Sequence, residues 1–105
     1  MEALAEVSRT ANLIVNATPV GMWPDTDQTP WPENIPFPRD AVLYDMIYRP
    51  LRTRLMRDAE VAGLRAVGGI GMLVYQGASA FEVWTGRKPP LDVMKMICQQ
   101  KLVEA

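Results

Sequence analysis

The sequence predicts an α/β fold, with a parallel sheet of about three strands flanked by helices, one half of a doubly wound sheet. Two observations predict it. The short apolar runs at 13–15 ("LIV") and 41–48 ("AVLYDMIY") lack the alternation of a half-solvated strand and read as strands buried on both faces. A helical stretch then separates the second run from a third, "LRAV" at 64–67, and strands joined by helical crossovers run parallel with right-handed connections.

Each element has its own signal. Residues 2–9, "EALAEVSR", are good helix formers with apolar positions at Leu4 and Val7. After the first strand, 19–40 hold six prolines, at 19, 24, 30, 32, 36 and 38, and a segment that withholds so many amide donors is a loop. Trp23 and Trp31 are expected to pin it by packing. A long ordered loop in a small domain is more often functional than decorative.

After the second strand, Pro50 is expected to open a helix at its first turn, where a missing amide costs least. Leu51, Leu55, Met56, Ala59 and Val61 mark its apolar face, and Gly63 its end. Gly68 and Gly69 turn the chain into the helix "IGMLVYQGASAFEVWT", which stops at Gly86. "RKPP" connects to a last helix from Pro90, with Leu91, Met94, Ile97, Cys98 and Leu102 on one stripe.

Composition narrows the function. The 105 residues suit one small domain, and a net charge of -1 supplies no basic field for nucleic acid. Cys98 is the single cysteine, which excludes an intrachain disulfide and a thiolate metal cluster; a buried structural thiol is expected. There is no histidine, so the commonest general base, the commonest zinc ligand and the Ser-His-Asp triad are all missing. No metal ligand is assigned. With no run of 18 apolar residues and no signal-peptide pattern at the start, no membrane association is expected and the location is taken as cytoplasmic.

Three stretches, "NLIVNATPVGM" (12–22), "YDMIYRPLRTRLM" (44–56) and "GGIGMLVYQGASAFEVWTG" (68–86), together resemble the carboxyl-terminal part of shikimate dehydrogenase, in order and spacing. The resemblance covers nearly the whole chain. It implies the second half of a Rossmann-type NADP-binding domain plus a carboxyl-terminal helix, so that 1–105 form one partial domain. It also implies that the amino-terminal substrate domain, the catalytic Lys-Asp pair and the glycine-rich phosphate turn are absent. No GxGxxG occurs; the nearest glycine cluster, "GGIG", lies near the end. No catalytic residue is therefore assigned in this chain, and alone it is expected to be inactive. The alternative is a non-catalytic interaction or scaffold module on the same fold.

The resemblance also implies roles. Asn16, Ala17 and Thr18 would lie along the cofactor, beyond the carboxyl end of a strand where ligands of open α/β sheets bind; taken alone, Asn and Thr there read as turn chemistry. Met46 would pack on the nicotinamide and Tyr48 stand near the substrate, although both also suit a core. Gly71 and Met72 would touch the cofactor at a helix start, or simply shape a turn. Gln76 would hydrogen-bond hydroxyl groups of shikimate or 3-dehydroshikimate, an amide being both donor and acceptor. Its other reading is a stripe edge facing solvent. The arginines of "RPLRTRLMR" read as a solvated face, with Arg49 nearest the site. Without the missing portion, the apolar faces and an open sheet edge are expected to drive self-association.

Overall fold

The computed structural model describes residues 2–104, and side chains from 3 to 101. Helix α1 (Glu2–Ser8) leads into β1 (Leu13–Asn16), and the proline-rich loop returns to β2 (Val42–Asp45). Helix α2 (Arg54–Val61) crosses to β3 (Arg65–Val67), and α3 (Ile70–Thr85) and α4 (Leu91–Glu104) close the chain. The sheet has the order β1-β2-β3, all parallel, as expected from the strand–helix alternation. The register sets Leu13 beside Val42 and Asn16 beside Asp45, so two polar residues end the first two strands side by side.

The core is small. Ala41, Leu43, Leu55, Met56, Ala59 and Leu64 form it, walled by Ile14, Trp31, Phe37 and Ala66. Trp31 closes the loop over this core: its ring stacks on Phe37 at 4.7 Å and its indole N–H donates to the Ile35 carbonyl at 2.7 Å. Each fully buried side chain such as Leu43 or Leu55 contributes roughly 1.5–3 kcal/mol.

Four expectations are corrected. Helix α2 begins at Arg54, not Pro50, because Thr53 caps it: its hydroxyl accepts from the Met56 amide at 3.2 Å. Val61 is 90% exposed and belongs to no apolar face, since at about 100° per residue it lies on the side of the helix away from Met56 and Ala59. Strand β1 is buried on one side only, with Leu13 59% and Val15 50% exposed, because none of the described elements packs over that face. Cys98 is half-buried rather than buried, because α4 packs on α3 alone. Leu102 of the expected stripe lies outside the described side chains.

Helices α3 and α4 form a hairpin that, among the described residues, makes no packing contact with the sheet, and Val74 and Ala78 are the buried side chains described in α3. Met94 lies over Gly77 at the hairpin's seam. The result is an elongated molecule of 49 × 27 × 21 Å. Its radius of gyration is 15.9 Å, against about 13 Å for a compact chain of this length.

Gly69 anchors the hairpin to the sheet. Its amide donates to the Ile47 carbonyl at 3.1 Å, and a Cβ there would overlap the Met46 carbonyl oxygen. Backbone that close leaves room for hydrogen alone. A Cβ at Gly71 would meet nothing within 4 Å. Gly69→Ala is therefore expected to cost about 1–3 kcal/mol or displace α3, while Gly71→Ala is neutral or stabilising by up to about 1 kcal/mol. Urea unfolding of the two variants checks this contrast, and equal stability of the two would refute it.

Candidate functional site

The site begins with a carboxylate that sequence reasoning did not single out. Asp45 ends β2 with no exposed surface. Its Oδ1 accepts from the Asn16 amide at 3.2 Å and from the Ile47 backbone N–H at 3.0 Å; its Oδ2 accepts from the Thr53 hydroxyl at 2.7 Å. A buried carboxylate is tolerable only when its oxygens are hydrogen-bonded in this way. One side chain thus ties the end of β1, the turn after β2 and the cap of α2 together. The signals available for it were an Asp closing an apolar run and a Thr three residues before Met56.

The network continues outward. Asn16 Oδ1 accepts from the Thr18 amide at 3.0 Å and the Thr18 hydroxyl at 2.6 Å, and the Val20 amide donates to that hydroxyl at 3.3 Å. This is an Asx turn, which fixes the bend after β1. Asn16 is itself buried, so it stands behind the surface and shapes it through Thr18.

In front of the network is a cavity of about 590 Å³, lined by Ala17, Thr18, Pro19, Met22, Trp23, Met46, Ile47, Tyr48 and Arg49. These residues follow the carboxyl ends of β1 and β2, where open α/β sheets bind ligands, and the volume suits a small molecule. The Trp23 amide donates to the Arg49 carbonyl at 2.9 Å, and the Arg49 guanidinium lies 4.0 Å from the Trp23 ring centroid. Trp23 therefore stays 48% exposed on the rim instead of packing inward as Trp31 does.

Ala17, Thr18, Met46 and Tyr48 of the expected site thus share one cavity, with Asn16 behind it. Gly71, Met72 and Gln76 do not line it. Gly71 borders a smaller hollow of about 170 Å³ with Val74, Tyr75, Leu91, Asp92 and Lys95. Met72 is partly exposed, and Gln76 faces solvent. Counted along the helix, Gln76 lies about 10 Å from the Gly69 anchor. Of the neighbouring arginines, Arg52 pairs with Glu60, and Arg54 pairs with Asp58 at 3.4 Å and Glu33 at 4.0 Å.

A family model described as Shikimate 5'-dehydrogenase C-terminal domain matches residues 69–99. The shikimate dehydrogenase (NADP(+)) of Symbiobacterium thermophilum is 53% identical over 93 residues, covering 89% of this chain and 30% of that protein. The chain matches the carboxyl-terminal part of shikimate dehydrogenases. Two crystal structures agree. The Listeria monocytogenes shikimate 5-dehydrogenase, in complex with shikimate and NAD, superposes with a TM-score of 0.82 at 36% identity, over 91% of this chain and 33% of that one. The Thermus thermophilus enzyme, in complex with NADP(H) and shikimate, gives a TM-score of 0.80 at 40% identity, over 93% of this chain and 36% of that one. The chain thus spans about a third of the length of the shikimate dehydrogenases it matches.

The buried network makes a direct stability test possible. Thr53→Val removes the cap of α2 and one donor to Asp45, so a loss of about 2–4 kcal/mol is expected. Thr53→Ser keeps the hydroxyl and should retain most of that stability. Denaturant midpoints compare the two, and a Thr53→Val variant as stable as the parent would show the network to be idle.

Proposed function

We propose that this chain is the carboxyl-terminal portion of an NADP-dependent shikimate dehydrogenase, which interconverts shikimate and 3-dehydroshikimate in aromatic amino-acid biosynthesis in the cytoplasm. The observation that carries the reading is the cavity beyond the strand ends, where Ala17, Thr18, Met46 and Tyr48 converge in a chain 53% identical to such an enzyme. The chain is one partial domain, the second half of the nucleotide-binding fold with its terminal helix.

The residues present fit one end of the cofactor. Met22, Trp23, Met46 and Tyr48 offer soft and aromatic surface to a flat ring, and the backbone of Ala17 and Thr18 is held in place by Asn16. The phosphate end has no glycine-rich turn here, so tight binding of NADP requires the amino-terminal portion. When bound, NADPH supplies the hydride. This chain's residues orient its ring, Tyr48 borders the substrate, and Gln76 offers an amide donor and acceptor to the substrate's hydroxyls across the cleft. Proton transfer belongs to the amino-terminal portion.

The chain alone should show no turnover with NADP and shikimate. Co-expressed with a Symbiobacterium thermophilum shikimate dehydrogenase lacking its carboxyl-terminal third, it should restore activity, and Gln76→Ala should reduce that activity about tenfold or more, chiefly through KM. Turnover by the isolated chain, or full activity of the Gln76→Ala pair, would overturn the assignment of roles.

A second reading, an interaction module, is favoured by the apolar surface of the hairpin, where Tyr75, Val83, Trp84, Met96 and Ile97 are exposed, Trp84 by 83%. Exposed apolar surface of this extent marks an interface. In isolation the chain is expected to self-associate, and light scattering that reports a monomer at high concentration would count against this.

A further inference from the structure

Arg49 is the one charged residue of the cavity wall, and the proposed function leaves its chemistry unused. Its Nε is the one buried side-chain nitrogen or oxygen without a hydrogen-bond partner among the described residues. Such a group is a cost unless something compensates it. The guanidinium carbon lies over the Trp23 ring, 4.0 Å from its centroid, and the backbone bond from Trp23 to the Arg49 carbonyl fixes the two residues against each other. Among the described residues no carboxylate pairs with its terminal nitrogens, unlike those of Arg52 and Arg54. No aspartate or glutamate lines the cavity. Asp45, four positions earlier, already has both oxygens engaged.

We infer that Arg49, oriented by Trp23, recognises an oxyanion carried by the ligand of this cavity. A planar fork with its face fixed and its ends free is the arrangement that meets a carboxylate or phosphate with two parallel hydrogen bonds. The rest of the lining, Met22, Trp23, Met46 and Tyr48, suits an apolar or flat body attached to that group. The ligand class is therefore a small anion with a carboxylate or phosphate next to a ring or other apolar body. Trp23 acts through Arg49 and is a positioning residue. The inference does not depend on the dehydrogenase reading, because it needs neither NADP nor shikimate.

The test is a titration of the isotopically labelled chain followed by NMR, with inorganic phosphate and with benzoate as separate probes. Saturable shifts are expected at the Arg49 Nε–H, the Trp23 indole N–H and the amides of 17–23 and 46–49. Whichever probe binds more tightly identifies the group as phosphate or carboxylate. Arg49→Lys keeps the charge but loses the fork and should bind about tenfold more weakly. Trp23→Leu keeps the apolar wall and should weaken binding similarly. Amide shifts of α2 and β3 report whether each variant keeps its fold. Absence of a saturable shift in the parent chain with either probe overturns the inference without any variant. Equal affinity in Arg49→Lys, or shifts as large at Arg52, Arg54 and Arg57, overturns it as well.

Discussion

Asp45 is the point on which the rest of this structure depends. A carboxylate with no exposed surface at the end of the central strand requires donors, and the three it has come from three different parts of the chain. Because Asn16 is one of them, β1 is locked to β2 at its carboxyl end. Because Thr53 is another, α2 starts where it does and presents Leu55, Met56 and Ala59 to the sheet. Because the Ile47 amide is the third, the turn carrying Met46 and Tyr48 has a fixed path. The cavity is a surface consequence of that buried demand.

Gly69 is the second constraint and works by exclusion. Its contact with the Met46 carbonyl places the start of α3 against the same turn that Asp45 holds. Beyond that contact the described residues of the hairpin have no sheet beneath them, and the apolar ones meet mainly each other and solvent. A core of six buried residues with a projecting hairpin buries little of its chain, and small domains have little stability to spare. The correspondence to about a third of longer relatives is in keeping with that shape.

Much of this is legible in the sequence, and the failures are informative. The strands at Leu13 and Val42, the proline-rich loop, and the glycine end of α3 at Gly86, with φ near 67°, follow from local chemistry that needs no partner. Sequence pattern overstates the burial of β1 and α3, because it states what a segment could bury and not whether anything covers it. Leu13, Val15 and Val83 look alike in sequence whether the cover lies in this chain or outside it. The start of α2 is ambiguous in sequence because Pro50 and Thr53 are both legitimate helix openers. The choice between them is made by Asp45, eight residues before Thr53 in sequence and adjacent only in space.

In sequence the candidate site reads as one set of residues, and the structure divides it by depth and by distance. Asn16 lies inward, its carbonyl oxygen taken by Thr18, so its influence on a ligand is through the bend it imposes. Ala17, Thr18, Met46 and Tyr48 form the cavity wall. Gln76 lies outward, on a helix that starts at Gly69 and rises about 10 Å along its axis before reaching it. The proposed function uses both, with the cofactor ring against Met46 and the substrate meeting Tyr48 and Gln76. Within the described residues no side-chain hydrogen bond engages Gln76, so its amide stays open on that exposed face.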